Sequence, residues 1–105
     1  MCAKVRLKPG SLERVREWAR ELQARTDEVL ATLRDEGVVI ESVFLDHDEQ
    51  GDFLLYFMKA RSLKAAAQTM RRSSDPVDQY HSQFKLDAWE SRTPLELLID
   101  FENFG

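Results

Sequence analysis

Two consecutive segments, residues 38–46 and 52–60, are apolar on both sides of the strands that they predict. Side chains alternate along a strand, so the first segment presents two apolar sets. These are Val39, Val43 and Leu45 on one side and Val38, Ile40 and Phe44 on the other. An antiparallel sheet with one face in water carries polar residues on that face. We therefore expect this hairpin to be covered on both faces.

The first third of the chain predicts a strand followed by a long helix. Residues 3–8 alternate between apolar and charged side chains, and Pro9-Gly10 ends this strand. Ser11 is a good helix N-cap residue, because its hydroxyl accepts a bond from a free backbone N–H. Apolar residues then recur at spacings of three and four through Leu33, which predicts one amphipathic helix of about six turns. Gly37 is placed to end it in the left-handed conformation.

The rest of the chain predicts two further helical pieces and a final strand. Ser62 caps one helix, and Asp75-Pro76 starts the other with proline in its first turn. The last strand is predicted through Leu95, Leu97, Ile99 and Phe101. The order β-α-β-β-α-(α)-β is the split βαβ pattern of ferredoxin-like α+β folds. We expect a four-stranded antiparallel sheet with helices on one face.

Length and composition restrict the class of protein. With 105 residues, we expect a single domain over 1–105. A net charge of −4 argues against binding of nucleic acid, which needs a basic surface, and gives no reason to expect an anionic membrane as partner. Cys2 is the single cysteine, and no signal peptide or membrane span is visible, so we expect a cytoplasmic protein.

The second apolar face of the hairpin calls for a partner. Burial stabilises by roughly 25 cal/mol per Å² of apolar area, so exposed aliphatic and aromatic side chains favour association. Two-fold pairing of sheet against sheet in a homodimer is the simplest closure. The competing interpretation is that this face binds a different protein.

Three segments are similar to a known family. KVRLKPGSLERVREWA (4–19), EVLATLRDEGVVIESVFLD (28–46) and DPVDQYHSQF (75–84) resemble an uncharacterised bacterial family of about this length. That family is placed in the dimeric α+β barrel superfamily, so the resemblance implies the fold and the dimer but no activity. The wider superfamily contains cofactor-independent monooxygenases, small decarboxylases, isomerases and sugar mutarotases. The His and Tyr pattern of the mutarotases is absent from the first helix here.

Glu41 and His81 are the first candidates for chemistry. Glu41 stands mid-strand among apolar residues, where burial raises the pKa of a carboxyl group and suits a general acid or base. The structural alternative is an ion pair with Arg25 or Lys4, or exposure at an edge. His81 lies in the apolar stripe of the last helix, and Asp78, three residues earlier, is placed to orient its imidazole. The alternative is a core histidine bonded to a backbone carbonyl.

Further residues are candidates to line a ligand pocket. Aromatic side chains with polar tips often line such pockets, although most at these spacings belong to the core or an interface. Arg25 and Glu28 are polar candidates on the first helix, where a solvated position is the alternative. The full predicted binding set is Trp18, Arg25, Glu28, Tyr56, Tyr80 and Trp89.

Two functions remain open from the sequence. There is no glycine-rich phosphate loop, dinucleotide fingerprint, HExxH or nucleophile elbow, so we expect no cofactor and no metal. The first hypothesis is a pocket between sheet and helices that binds a small molecule, with isomerase- or monooxygenase-like acid–base chemistry. The alternative is a non-catalytic structural or regulatory interaction module.

Overall fold

The computed structural model describes residues 1–104, and in these residues four helices accompany one four-stranded antiparallel sheet. The sheet order is β2-β3-β1-β4. The elements are β1 (Cys2–Leu7), α1 (Leu12–Ala24), α2 (Thr26–Glu36), β2 (Val38–Asp48), β3 (Gly51–Ala60), α3 (Leu63–Arg72), α4 (Pro76–Ala88) and β4 (Trp89–Pro94). The predicted α+β class and the predicted hairpin are therefore confirmed.

The long helix predicted after Ser11 is two helices, so that prediction was wrong. Arg25 leaves helical geometry at ψ 33°, and its N–H donates to the carbonyls of both Glu21 and Leu22. Thr26 then donates its hydroxyl to the carbonyl of Gln23 at 2.6 Å. The apolar spacing continues across this joint, so periodicity could not reveal it. Ser11 also differs from expectation, because its hydroxyl donates to the Lys8 carbonyl at 2.7 Å instead of capping α1.

Other boundaries follow the predicted local chemistry. Gly37 ends α2 with φ 72°, in the left-handed region that glycine enters without strain. Ser62 accepts a hydrogen bond from the Ala65 N–H at 3.1 Å and so caps α3. Pro76 opens α4. These three helix ends are as the sequence predicts.

The final strand was predicted in the wrong place. β4 is Trp89–Pro94, an edge strand that pairs with β1 in a register that sets Arg92 opposite Val5. Most of β4 is polar and exposed, so it lacks the apolar alternation by which strands are recognised. Residues 95–104 form neither helix nor strand, and Leu97 and Phe101 are largely exposed.

The core lies between the helices and one face of the sheet. Trp18 of α1 stacks on Phe84 of α4 with ring centroids 4.3 Å apart, and Phe84 is fully buried. Burying an aromatic side chain of this kind contributes about 1.5–3 kcal/mol. The buried cluster is Val5, Leu7, Val15, Trp18, Leu54, Tyr56, Phe84 and Ala88.

The other face of the sheet, which we call the outer face, carries no helix in the described chain. Phe53 is buried there under Lys4 and Arg6, whose charged groups lie 4.2 Å and 4.7 Å from its ring centroid. Phe44, by contrast, is 59% exposed. Lys59 holds the segment 95–104 through an ion pair with Asp100 at 2.8 Å and a second one with Glu102.

Candidate functional site

A cavity of about 550 Å³ lies between the helices and the sheet. Its size falls in the range of small-molecule sites. Its lining side chains come from all four helices and from β2, β3 and β4. The apolar part of this lining is Met1, Trp18, Leu22, Val29, Leu33, Val43, Met58, Leu63, Ala66, Ala67, Met70 and Val77.

The ionisable part of the lining is concentrated on a few elements. α4 contributes three of these groups at spacings of three and four, so they share one helix face. Glu36 ends α2, and Glu41 projects from the same sheet face as Val43. The set is Glu36, Glu41, Arg71, Asp78, His81, Lys85 and Arg92.

His81 is held by Trp18. The indole Nε1 of Trp18 donates to His81 Nδ1 at 3.0 Å. Because an indole nitrogen only donates, Nδ1 is the acceptor and the imidazole proton resides on Nε2. Burial, with Lys85 adding to it, lowers the pKa of His81 to about 3. The ring is therefore neutral at physiological pH, with a fixed tautomer.

Asp78 does not orient the imidazole, contrary to expectation. It is buried in the first turn of α4 and accepts a hydrogen bond from the Ser73 hydroxyl at 2.5 Å. Among the described residues, His81 has no hydrogen bond to Asp78, and Trp18 takes the positioning role instead. Asp78 contributes its negative charge to the cavity, where it raises the pKa values of Glu36 and Glu41.

Glu41 has neither of the ion pairs that were the structural alternative. Arg25 is paired with Glu28, and Lys4 lies over Phe53 on the outer face. The carboxylate of Glu41 lines the cavity and forms no ion pair within 4.0 Å in the described chain. Glu41 lies on the edge strand β2 and much of its surface is exposed, so the remaining alternative, exposure at an edge, holds in part. Neighbouring protein atoms still remove water from around the carboxyl group and raise its pKa, an effect that Lys85 opposes and Asp78 strengthens.

Four ionisable groups of the lining were missed from the sequence, namely Glu36, Arg71, Lys85 and Arg92. Burial raises the pKa of Glu36 to about 7, with the negative charges of Asp78 and Glu41 adding to the effect. Lys85 follows His81 by one helical turn, and this spacing could have identified it. Glu36 gave no such signal, because a charged residue just before the predicted helix end at Gly37 looks like an ordinary helix-surface residue.

Arg25 and Glu28 were predicted to bind a ligand, and the structure does not bring them to the cavity. They form an ion pair with each other at 2.8 Å, while Arg25 also lies 3.7 Å from Glu21. Both groups are held at the joint between α1 and α2. The pairing lowers the pKa of Glu28.

Of the predicted aromatic set, Trp18 lines the cavity and the other three do not. Tyr80 accepts a hydrogen bond from Arg14 of α1 at 3.1 Å and packs against the core. Tyr56 and Trp89 pack edge to face with ring centroids 5.1 Å apart. The Tyr56 hydroxyl and the Trp89 indole nitrogen are buried without a hydrogen-bond partner in the described residues.

The described residues also bear on metals and membranes. No group of three or more His, Cys, Asp or Glu residues in 1–104 is arranged to hold a metal ion. Within the same residues, every helix is too short or too polar to cross a membrane. The groups that the cavity presents are carboxyl groups, a lysine amine, guanidinium groups and the neutral imidazole.

Comparison with known proteins places the chain in a family. The model of a family of unknown function, DUF6176, matches residues 1–105. The chain belongs to DUF6176. No curated protein and no solved structure matches the DUF6176 chain. Because the family is one of unknown function, membership assigns no activity to the chain.

Proposed function

We propose that the cavity binds a small, largely apolar molecule and catalyses proton transfer on it without a cofactor. Glu41 transfers the proton, and His81 stabilises the negative charge that develops. One observation carries the proposal. A carboxylate without an ion-pair partner and an imidazole of fixed tautomer line the same apolar cavity. A base and a hydrogen-bond donor of fixed orientation in one cavity are the groups that proton transfer on a bound molecule requires.

The two groups suit proton transfer next to a carbonyl. Glu41, with its raised pKa, acts as the base that removes a proton from the carbon beside the carbonyl. His81 offers its Nε2–H as a hydrogen bond to the oxygen, where negative charge develops. Because its pKa is low, His81 stays neutral and donates a hydrogen bond without charge. This is chemistry of the isomerase type.

A ligand screen with a blocked cavity tests binding. Ala67 lines the cavity and is exposed on α3, so Ala67→Trp fills the space without disturbing the core. Ala65→Trp is the matched control, since Ala65 is exposed on the same helix and lies outside the cavity lining. Ligands found by ligand-observed NMR should bind the wild type and Ala65→Trp and lose binding to Ala67→Trp. Equal binding to all three proteins contradicts the proposal.

Deuterium exchange tests the chemistry. The protein should accelerate exchange of the protons next to the carbonyl of cyclohexanone in D₂O, monitored by proton NMR. Glu41→Gln should abolish this acceleration, and Glu49→Gln, in the exposed hairpin turn, should retain it. Exchange that is unchanged in Glu41→Gln removes Glu41 from the proposed mechanism.

A second candidate function, an interaction module, is favoured by the outer face. Ile40, Phe44 and Leu55 share this face, and the apolar side chains of residues 95–104 are exposed beside it. We propose a second copy of the chain as the occupant. The face carries acidic Asp46 on β2 and basic Arg6 on β1, so two copies related by a two-fold axis can match opposite charges.

Oligomeric state tests this pairing. Light scattering on a size-exclusion column should give the mass of a dimer. Phe44→Glu, which introduces a charge on the outer face, should give a monomer, and Glu49→Gln should remain dimeric. A wild-type monomer at micromolar concentration, or a dimer that tolerates Phe44→Glu, contradicts pairing through this face.

We also propose the ferredoxin-like form of the fold and a place in the dimeric α+β barrel superfamily. Support comes from the sheet order, in which β3 separates β1 from β2 and β1 separates β3 from β4. Each separated pair is joined through helices, which is the meaning of a split βαβ unit. The single Cys2 is compatible with the reducing cytoplasm, where we propose that the protein functions.

A further inference from the structure

Lys85 is the lysine of the cavity and has no ion-pair partner in the described residues. It lines the cavity from α4. Its Nζ lies 5.0 Å from the centroid of the Trp89 ring, the one contact recorded for its charge in the described residues. Among the lysines of the described residues, Lys59 alone has ion pairs, which it forms with two carboxylates.

The charged groups around Lys85 come from four elements. Glu36 lies at the end of α2, Glu41 on β2, Asp78 on α4 and Arg92 on β4, and all of them line the same cavity. The carboxylates favour the charged amine and Arg92 disfavours it. A lysine that is desolvated among apolar walls and not neutralised at close range is the kind that acts as a nucleophile.

We propose that Lys85 is a nucleophile that binds an apolar aldehyde or ketone in the cavity covalently, as an imine. The inference rests on the proposed function, because it requires that the cavity takes a small molecule. The inference adds covalent binding of an aldehyde or ketone, and it gives a role to Lys85, which takes no part in the proposed proton transfer. Trp18, Leu22 and Met58 supply the apolar wall against which the rest of the carbonyl compound packs.

The reaction balances without any further reactant. Lys85 first gives a proton of its ammonium group to the carboxylate of Glu41. The neutral amine then attacks the carbonyl carbon, a C–N bond forms, and the electron pair of the C=O π bond moves to oxygen, which takes that proton from Glu41. The nitrogen of this carbinolamine loses a proton to the Glu41 carboxylate. The hydroxyl takes this proton from Glu41 and leaves as water while the nitrogen lone pair forms the C=N bond. Overall, a carbonyl compound and a protonated lysine give an iminium ion and one water.

The electrostatics of the cavity support the step. Burial is the main cause that lowers the pKa of Lys85, and Arg92 lowers it further against the opposing carboxylates Glu41, Glu36 and Asp78. A lower pKa leaves a larger fraction of the amine uncharged, and only the uncharged amine attacks. Glu41 has a raised pKa, so its carboxylate is a stronger base than an ordinary one and is suited to accept and return the protons of this step.

Reductive trapping tests the proposal. Hexanal and sodium cyanoborohydride at neutral pH convert an imine to a stable secondary amine, which intact-mass measurement and peptide mapping locate. Lys85 should be labelled several-fold faster than Lys64, which is exposed on α3. Mapping also separates Lys85 from the amino group of Met1, which borders the cavity. Labelling of Lys85 at the rate of Lys64 overturns the proposal.

Two substitutions sharpen the outcome. Lys85→Arg keeps the positive charge and should lose the fast label entirely, while Lys64→Arg should retain it. Lys85→Met serves the same purpose if the arginine variant does not fold. If ligands still bind in a way that Ala67→Trp blocks, yet Lys85 is not labelled preferentially, the imine is refuted and the binding site stands. If Ala67→Trp affects neither binding nor labelling, both proposals fail.

Discussion

His81 makes the stability of the protein depend on pH in a predictable direction. Its pKa is about 3 in the folded protein and 6.5 as the unperturbed value. A lowered pKa means that the unfolded chain binds the proton more readily, so stability falls as pH drops below 6.5. Because pH 5 lies about 1.5 units below the unfolded pKa, protonation of His81 in the unfolded chain lowers the free energy of unfolding by about 2 kcal/mol between pH 7 and pH 5.

His81→Gln isolates this contribution. The glutamine does not titrate, and its amide oxygen can accept from Trp18 Nε1 in place of the imidazole. Urea unfolding at pH 7 and pH 5 should show the loss in the wild type, and the loss should be about 2 kcal/mol smaller in the variant. Other titrating groups, such as Glu36, are present in both proteins and cancel in the comparison.

His47 is the matched control, because the chain has two histidines. It lies exposed on the hairpin and pairs with Asp52, which raises its pKa. A raised pKa in the folded protein adds to its stability at pH values below the unfolded pKa of His47, and this contribution is lost as the pH rises. The pH dependence is therefore opposite in sign to that of His81. His47→Gln should therefore lose more stability than the wild type on acidification. Equal losses in the wild type and His81→Gln would refute the buried, neutral state of His81.

Three further predictions concern single sites. Phe84→Ala should lower the free energy of unfolding by about 3–5 kcal/mol in urea titrations, because Phe84 is fully buried and stacked on Trp18. A loss below about 1 kcal/mol would contradict this packing. Gly37→Ala should lower the free energy of unfolding by about 1 kcal/mol. The cause is backbone strain at φ 72° and not a clash, because the nearest atom to the new Cβ is 4.0 Å away. An unchanged urea midpoint would argue against the left-handed end of α2. Glu41→Gln should raise the melting temperature at pH 7, because it removes a carboxylate that burial disfavours, whereas a lower melting temperature would indicate an ion pair.

Local chemistry predicted the boundaries that depend on single residues. Gly37 and Pro76 determine backbone geometry by themselves, so their helix ends were readable from the sequence. The break at Arg25 depends on how α1 and α2 each pack, and the apolar spacing on both sides is the same as in one helix. β4 escaped detection because an exposed edge strand needs no apolar alternation, and the apolar residues 95–104 matched the strand pattern better.

The cavity was predicted in part. Mid-strand Glu41 and the stripe residue His81 were identifiable, because a polar residue in an apolar pattern needs an explanation. The pairing of Trp18 with His81 joins residues 63 positions apart and requires the packing of α1 on α4. Glu36 and Lys85 look like ordinary charged residues of helix surfaces. Only the gap between helices and sheet gives them a common environment.

The break at Arg25 divides the helical layer into two units of unequal strength. In the described chain, α1 and α4 contribute six buried side chains, whereas α2 and α3 contribute two, Thr32 and Ala66. Elements with few buried contacts open first in native-state fluctuations. Amide hydrogens of α2 and α3 should therefore exchange with solvent before those of α1 and α4. For a molecule bound as we propose, the rates of entry and exit should depend on this weaker unit, while α4 keeps His81 and Lys85 in place.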